Sequence, residues 1–307
     1  MAKHYISLEP FLPWRQVERP VDWAQHFGRE APLELEIGFG NGERLARRAR
    51  QHPELNLVGL DISWPSARRC LRKIALAGLR NVLLVQADAR VALRALFRQG
   101  SLSRVDSLFP CPWPADKHRG RRLFSADFLR LLNSRLEAGA VFRLVTDHRR
   151  FFQWVQEQAR QGETGFQWDW RIRGPGLETK YERKWLGQGQ EEFYELTFSK
   201  VRHLEVPDWE DEVLQAYHLE SFDPETFVCR DFPGPERVSF KDLVFDPQKR
   251  LGLLQTVVVE GDFQQAFWLE FRWQGAYWSL RPALGCGLVP TRGVRRALEL
   301  AYRQAGG

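Results

Sequence analysis

Short apolar runs alternate with amphipathic segments along the first 200 residues of the chain. Runs of this kind, bounded by turn residues, are typical of buried strands, and the first five are LELEIGFG, LNLVGLDI, NVLLVQADA, RVDSLFP and AVFRLVTD. The segments between them have the apolar spacing and the capping residues of helices, as in ERLARRARQ and SADFLRLLNSRLEAG. Regular alternation of this type predicts a mainly parallel α/β sheet with helices on both faces.

The pattern changes near residue 203. Two more predicted strands, FQWDWRIR and EEFYELTFSK, precede the change. After it we predict a helix in DWEDEVLQAYHLE, then several aromatic-rich strands, and a last helix in TRGVRRALELAYRQ. We therefore predict an N-terminal arm (1–32), an α/β domain (33–203) and a smaller C-terminal α+β module (204–307).

The composition favours an ordinary globular protein of more than one domain. The chain has 307 residues, of which 43% are hydrophobic and 27% charged. Its four cysteines lie far apart, without a C-x-x-C pair or a cysteine–histidine cluster, which favours reduced thiols and no metal site. No apolar stretch has the length of a signal peptide core or a membrane span. We expect a cytoplasmic protein that neither binds a metal nor enters a membrane.

Positive charge is concentrated in the first part of the chain. Residues 1–200 carry 33 lysines and arginines against 23 aspartates and glutamates, whereas the remaining residues carry 12 against 16. A net charge of +10 against −4 predicts that a polyanion binds the first part, because attraction to phosphates follows the local basic surface. In the acidic module, the aromatic residues of AFWLEFRW therefore favour a core face or a partner contact over base stacking.

A glycine-rich loop follows the first predicted strand. The segment ELEIGFGNGE places Glu36, Gly38, Gly40 and Gly42 where the strand ends, and glycines allow the backbone to turn tightly and approach a ligand. A dinucleotide fingerprint, G-x-G-x-x-G, would require glycine where this chain has Glu43. An NAD site is therefore the less favoured alternative.

This E-x-G-x-G-x-G form resembles the first motif of class I S-adenosylmethionine-dependent methyltransferases. Asp61 ends the second predicted strand, where that family binds the ribose hydroxyls, and Asp88 follows the third, where it binds adenine. The resemblance implies a Rossmann-like, seven-stranded domain with S-adenosylmethionine as cofactor. The cofactor-binding residues it implies are Glu36, Gly38, Gly40, Gly42, Asp61 and Asp88.

A proline-rich corner with a basic cluster follows the fourth predicted strand, in LFPCPWPADKHRGRRLF. Prolines stiffen such a loop, and the ring of Trp113 is a candidate platform for a nucleobase, since base–aromatic stacking tolerates any base. Lysines and arginines beside it suit phosphate contacts, which fix position without reading sequence. A solvated basic turn is the alternative interpretation.

The same segment resembles the F-P-D-P-W-x-K-x-R-H-x-K-R-R signature of the bacterial tRNA (guanine-N7-)-methyltransferases. VTDHRRFF and ETKYERKWLGQGQEEFYELTFSK resemble that family's T-D and T-x-(F/Y)-E segments, so the resemblance covers roughly residues 33 to 200. It implies methyl transfer to N7 of a guanine in the variable loop of tRNA, and it leaves the oligomeric state open. The substrate-binding residues it implies are Trp113, Lys117, His118, Arg121, Arg122, Asp147, Thr179 and Glu182.

Guanine N7 has an in-plane lone pair, so transfer requires alignment of donor and acceptor rather than a base. We expect Asp147 and Glu182 to act as the catalytic carboxylates, because anions that hold the base would stabilise the charge it gains. Cys111 replaces the signature's aspartate and Ala115 its lysine. Loss of one charge-assisted hydrogen bond predicts a rate roughly one to two orders of magnitude lower.

These departures leave three alternatives open. Cys111 is a candidate nucleophile, although a small buried thiol that fills the site is the favoured interpretation. The chain is alternatively a tRNA- or cofactor-binding protein of the same fold with weak or lost catalysis. Methylation of a different nucleoside is the third possibility.

Overall fold

The computed structural model describes residues 6–306, except for the side chain of Asp116. The first five residues of the predicted N-terminal arm and Gly307 therefore lie outside the description. The chain divides into two compact units, Met1–Trp209 and Glu210–Gly307. The division follows Trp209, whereas the change of pattern in the sequence placed it at residue 203.

The first unit is built on one seven-stranded sheet. Its strands are β1 (Leu33–Ile37), β2 (Asn56–Asp61), β3 (Val82–Gln86), β4 (Leu102–Leu108), β5 (Leu136–Thr146), β6 (Phe166–Arg173) and β7 (Phe193–Lys200). Its helices are α1 (Trp23–Phe27), α2 (Glu43–Gln51), α3 (Trp64–Ala77), α4 (Ala89–Leu96), α5 (Ala126–Arg135), α6 (Arg149–Gln161) and α7 (Lys180–Leu186).

The strand order is β3-β2-β1-β4-β5-β7-β6, and β7 runs antiparallel to both of its neighbours. Strands β1 to β5 are parallel to one another. This topology confirms the predicted Rossmann-like, seven-stranded α/β domain. The chain moves outward from β1 to β3 and then returns to β4 beside β1, so the order reverses where the carboxyl ends of β1 and β4 meet. Ligands bind at such a reversal in open α/β sheets.

The N-terminal segment packs along the β3 edge of this sheet. The backbone N–H of Leu12 donates to the carbonyl of Leu84 at 2.9 Å, and the indole of Trp14 donates to the carbonyl of Gln86 at 3.0 Å. The ring of Trp23 stacks on Phe97 with 4.9 Å between centroids. From residue 6 onward, the predicted arm is therefore part of the first compact unit.

The second unit is a six-stranded antiparallel sheet with one helix. Its elements are β8 (Tyr217–Leu219), β9 (Asp231–Phe232), β10 (Glu236–Asp246), β11 (Leu251–Glu260), β12 (Phe263–Trp273), β13 (Trp278–Pro282) and α8 (Arg292–Gln304), with strand order β8-β13-β12-β11-β10-β9. Phe267, Leu269 and Phe271 of β12 are buried in one core with Val294 and Leu298 of α8. This arrangement confirms the α+β class and the core face predicted for AFWLEFRW.

The helix predicted in DWEDEVLQAYHLE is wrong. Residues 208–216 form no helix, and Tyr217–Leu219 pairs with β13 as an edge strand. The side chain of Glu212 forms an ion pair with Arg295 at 2.9 Å, and its backbone N–H donates to the carbonyl of Pro290 at 3.0 Å. Contacts distant in sequence therefore fix this segment, and they outweigh its local helical spacing.

No helix within residues 6–306 combines the length and the apolar character needed to cross a bilayer.

Candidate functional site

A cavity of about 430 Å³ lies at the carboxyl ends of β1 to β4. Its volume is in the range of small-molecule sites, roughly 300 to 1,000 Å³. The predicted site residues that line it are Gly38, Gly40, Asp61, Asp88, Cys111, Trp113 and Arg121. The structure therefore brings the predicted cofactor loop, two strand-end carboxylates and the proline-rich loop to one place.

The glycine loop adopts a backbone that other residues rarely take. Gly38, Gly40 and Gly42 have φ angles of 75°, 58° and 74°, all in the left-handed region. A Cβ atom at Gly42 would lie 2.2 Å from Sγ of Cys70 on α3. The glycine loop therefore packs directly against α3 at Gly42, and this contact fixes the position of the loop.

Replacing Gly42 with alanine is expected to lower the free energy of unfolding by about 2 kcal/mol. The left-handed conformation alone costs roughly 1 to 2 kcal/mol for a residue with a Cβ atom, and the overlap with Cys70 adds to it. Urea unfolding checks the value. Gly78→Ala is the matched control, because φ is 61° there and nothing lies within 4 Å of the added Cβ. Equal losses in the two variants would show that the contact with Cys70 has no energetic role.

Asp61 connects the end of β2 to the glycine loop. Its carboxylate accepts the backbone N–H groups of Gly40 at 3.0 Å and Ser63 at 2.9 Å. Burial raises the pKa of Asp61, although these hydrogen bonds act to lower it. Each carboxylate oxygen keeps a further lone pair, so the group suits the two hydroxyls of a ribose.

Asp88 lines the same cavity and caps α4. Its carboxylate accepts the backbone N–H of Arg90 at 2.8 Å, and Nη1 of Arg90 lies 3.5 Å from its second oxygen. The side chain of Asp88 is 42% exposed, so it keeps acceptor capacity toward the cavity. Asp61 and Asp88 therefore both present hydrogen-bond acceptors to the cavity, as a nucleoside requires.

Glu36 is buried and does not line the cavity, so its contact with the cofactor stays a prediction. Its carboxylate pairs with Nη1 of Arg44 at 3.1 Å, and Nη2 of Arg44 pairs with Asp106 at 2.7 Å. Burial raises the pKa of Glu36. Because α2 begins directly after the glycine loop, the side chain of Arg44 extends back to β1 and pairs with the Glu36 carboxylate. In this structure the Glu36 carboxylate is held by Arg44, the second residue of the helix that follows the loop.

Asp106 has three cationic partners and does not point into the cavity either. Besides Arg44, it binds Arg104 at 2.9 Å and Arg143 at 2.7 Å. Burial acts to raise its pKa, but the guanidinium groups hold the pKa of Asp106 well below its usual range. It is a structural carboxylate and cannot take the place of the aspartate that Cys111 replaces.

The proline-rich loop brings Trp113 to the cavity with a left-handed backbone. Phe109 and Trp113 have φ angles of 54° and 44°. The ring of Phe109 is buried against Phe193, and the following residues turn outward, so Cys111 is exposed at the cavity. The expectation of a buried thiol is therefore wrong. The guanidinium of Arg121 lies over the Trp113 ring, 5.0 Å from its centroid.

The basic cluster behind Trp113 is split between exposed and buried side chains. Lys117 and Arg121 are exposed, and His118 meets the Trp113 ring edge-on at 5.7 Å. Arg122 is only 8% exposed, contrary to its predicted place on a phosphate-binding surface. Its guanidinium donates to the carbonyl of Trp113, so the side chain turns into the loop rather than toward solvent.

The predicted catalytic carboxylates lie outside the cavity lining. Asp147 follows β5 and is half-buried, and burial raises its pKa. Thr179 caps α7, and the carboxylate of Glu182 accepts the backbone N–H groups of Gly176 at 3.0 Å and Leu177 at 2.9 Å. Contact of Asp147, Thr179 and Glu182 with a base stays a prediction. In this structure Glu182 holds the loop that precedes α7.

The structure also adds cavity residues that the sequence patterns did not identify. Tyr181 of α7 approaches the glycine loop, with Cε2 3.6 Å from the position of a Cβ at Gly40. Arg69 of α3 and Phe109 also line the cavity. Tyr181 is next to Glu182 in the T-x-(F/Y)-E segment, but no sequence pattern indicates that its ring approaches the glycine loop.

A larger groove of about 590 Å³ lies along α2 and α7. Four of its charged side chains form ion pairs, Arg47 with Glu178 and Arg183 with Glu43, and Arg50 and the predicted site residue Glu182 line it as well. Neither the glycine loop nor the strand-end carboxylates line it. The smaller cavity, with its free acceptors, is therefore the candidate site. Within the described residues, no group of three or more histidines, cysteines and carboxylates is placed to hold a metal ion.

Residues 30–195 match a family model described as "Putative methyltransferase". A tRNA (guanine-N(7)-)-methyltransferase of Thermotoga maritima is 35% identical over 276 residues, which is 85% of each chain. One from Chlorobium phaeobacteroides is 40% identical over 174 residues, 57% of this chain and 84% of its own. One from Aquifex aeolicus is 25% identical and covers 94% of this chain and 97% of its own.

The Thermotoga and Aquifex relatives extend into the second unit, which the motif resemblance did not cover. Among solved structures, the 16S rRNA methyltransferase KamB matches with a TM-score of 0.48 and 21% identity, over 60% of this chain and 95% of its own.

Proposed function

We infer that this chain, because it belongs to the tRNA (guanine-N(7)-)-methyltransferase family, transfers a methyl group from S-adenosylmethionine to N7 of a guanine in tRNA. We propose that the transfer takes place in the 430 Å³ cavity at the ends of β1 to β4 and that the guanine lies in the variable loop. One observation supports this location: the glycine loop, Asp61, Asp88 and Trp113 all line the same cavity.

The alternative of a binding protein without turnover is not favoured, since relatives named as this enzyme match across most of the chain. A tRNA substrate also accords with the expected cytoplasmic location.

The residues of the cavity fit S-adenosylmethionine. Asp61 has acceptor capacity for the ribose hydroxyls, and Asp88 for the adenine amino group. Gly38 and Gly40 present backbone without side chains, which leaves room for the methionine part. The cofactor, when bound, supplies a methyl group on a positively charged sulfur.

The protein's task is then to orient the base and to stabilise its new charge. Guanine N7 attacks with a lone pair, so no side chain has to remove a proton. Trp113 would hold the base by stacking, and this placement in line with the methyl group is worth up to about 7 to 11 kcal/mol in favourable cases. We propose that Asp147 reaches the N1 and N2 hydrogens of the bound guanine and opposes its positive charge.

The exposed basic residues of the proline-rich loop would bind the tRNA backbone. Lys117 and Arg121 are exposed beside Trp113, and Arg149 and Arg150 are exposed at the start of α6, which follows β5 on the same edge of the sheet. Such side chains neutralise phosphates irrespective of sequence. Selection of one guanine then depends on the shape of tRNA and on an unstacked loop base.

Incubation of the purified protein with methyl-labelled S-adenosylmethionine and tRNA, followed by digestion to nucleosides, tests the function. We expect the label in 7-methylguanosine. Label in another nucleoside would overturn the assigned position, and tRNA binding without label would favour the binding protein. Trp113→Ala is the informative variant and Trp64→Ala its control, since Trp64 is partly exposed on α3 but does not line the cavity. We expect the first to lose activity and the second to retain it.

A further inference from the structure

Arg122 is almost fully buried although it belongs to a run of basic residues. Its Nε and Nη2 donate to the carbonyl of Trp113 at 3.3 Å and 3.2 Å. Its guanidinium lies over the ring of Trp154 on α6, 5.4 Å from the ring centroid. Two hydrogen bonds and one ring contact therefore hold its guanidinium group within the protein.

The carbonyl that Arg122 holds belongs to a residue in an unfavourable conformation. Trp113 has φ of 44°, a region that residues other than glycine seldom adopt. Such a conformation persists only where surrounding contacts impose it. The paired donors of Arg122 act on the peptide group of Trp113 itself, so they are placed to impose it.

The backbone around Arg122 is also anchored to the cofactor side of the cavity. Nη2 of Arg90 donates to the carbonyl of Arg122 at 3.1 Å. The backbone N–H of Arg90 in turn donates to Asp88, at the start of α4. The proline-rich loop is thereby attached to the same helix terminus that presents Asp88.

We propose that Arg122 is a positioning residue for methyl transfer: it holds Trp113 against the cavity in the conformation that stacks the guanine, and it does not bind a tRNA phosphate. The role rests on the proposed function, since Trp113 is the residue that orients the base. Its neighbours Lys117, Arg119 and Arg121 are exposed and serve the backbone contacts. The basic cluster thus contains two kinds of cation with different tasks.

Arg122→Gln and Arg119→Gln are a matched pair for the test. Each removes one positive charge from the same loop, and the Arg119 side chain is exposed whereas that of Arg122 is buried. We expect Arg122→Gln to lower kcat about tenfold and to leave the salt dependence of tRNA affinity unchanged. We expect Arg119→Gln to weaken tRNA affinity and to reduce the slope of log affinity against log salt by about 1. A reduced salt slope with full kcat in Arg122→Gln would overturn the proposal.

Arg122→Lys separates geometry from charge. Lysine keeps the positive charge but lacks the planar pair of donors that the Trp113 carbonyl receives. If Arg122 is a positioning residue, Arg122→Lys should have a kcat as low as that of Arg122→Gln. If Arg122 binds a phosphate, the lysine variant should recover nearly the full kcat. Recovery of kcat by lysine would therefore count against the proposal.

A double-mutant cycle with Trp113→Ala shows whether Arg122 acts through the tryptophan. Once the ring is absent, Arg122→Gln is expected to cause no further loss of kcat. Additive losses would mean that Arg122 acts elsewhere, for example on overall stability through Trp154, and melting temperatures of all four proteins would identify that case.

The activity of the unmodified protein in the same assay distinguishes failure of the proposed function from failure of the positioning role. If the unmodified protein forms no 7-methylguanosine, the proposed function is overturned. If both the unmodified protein and the Arg122→Gln variant are fully active, only the positioning role is overturned.

Discussion

An Asp61→Asn variant is expected to bind S-adenosylmethionine about 100-fold more weakly than the unmodified protein, a loss of about 2.8 kcal/mol. The carboxylate accepts the N–H groups of Gly40 and Ser63 and keeps lone pairs for a ribose. Asparagine has a single acceptor oxygen, so its amide NH2 group would face the backbone N–H of Gly40 or Ser63, with which it cannot pair. The change therefore weakens the ligand contact and the support of the glycine loop together. Isothermal titration calorimetry measures the affinity directly.

Asp88→Asn is the control for this effect. Asp88 lines the same cavity and carries the same charge, but its side chain is 42% exposed and does not hold the glycine loop. We expect a loss of about tenfold, as for one weakened hydrogen bond of about 1.4 kcal/mol. Equal losses in the two variants would show that the connection between Asp61 and Gly40 contributes nothing to binding.

The pH dependence of binding provides a second readout on Asp61. The carboxylate of Asp61 accepts hydrogen bonds from hydroxyl groups best when it is ionised. Burial raises the pKa of Asp61 above the usual aspartate value of about 3.9. Affinity should therefore be intact at neutral pH and should begin to fall, on acidification, at a higher pH than an exposed aspartate would give. The decline should be absent in Asp61→Asn. An unchanged pH profile in that variant would assign the titration to another group.

Residues at strand ends were the part of the site that the sequence predicted best. Asp61 and Asp88 each follow a buried apolar run, and parallel strands place their carboxyl ends at one edge. The hydrophobic pattern of the sequence shows where each strand ends. It therefore also shows which side chains meet at the carboxyl edge of the sheet. Gly38 and Gly40 follow the same logic, since they come directly after β1.

Side-chain direction within loops could not be predicted in the same way. Arg121 and Arg122 are adjacent and chemically identical, yet one is exposed at the cavity and the other is buried against Trp154. The Trp113 carbonyl and the Trp154 ring hold Arg122 inward, and these contacts exist only in the folded chain, so no pattern of residue types encodes them. The partners that the carboxylates of Glu36 and Glu182 bind outside the cavity lining could not be predicted for a related reason. Arg44 and the backbone of residues 176–178, which take up their carboxylates, are identified only by the folded chain.

Replacing Cys111 with aspartate is expected to raise the rate of methyl transfer by about 10- to 100-fold. Cys111 is exposed at the cavity that Asp61 and Trp113 line, so a carboxylate fits there without burial. The methylated base carries a positive charge, and one charge-assisted contact that forms as this charge develops is worth about 1.5 to 3 kcal/mol. Asp106, the nearby carboxylate of β4, cannot supply it, because Arg44, Arg104 and Arg143 already neutralise it. Single-turnover kinetics with saturating tRNA and S-adenosylmethionine isolate the chemical step.

Cys111→Asn distinguishes charge from hydrogen bonding at this position. Its side chain has nearly the size of aspartate and one acceptor oxygen, so it should recover at most a small part of the gain. If the asparagine variant matched the aspartate variant, the benefit would come from orientation of the base and not from its charge. If neither variant exceeded the unmodified protein, another carboxylate would already oppose the charge, and Asp147 would be the group to replace next. Burial raises the pKa of Asp147, and a cationic base beside it would favour its ionised form.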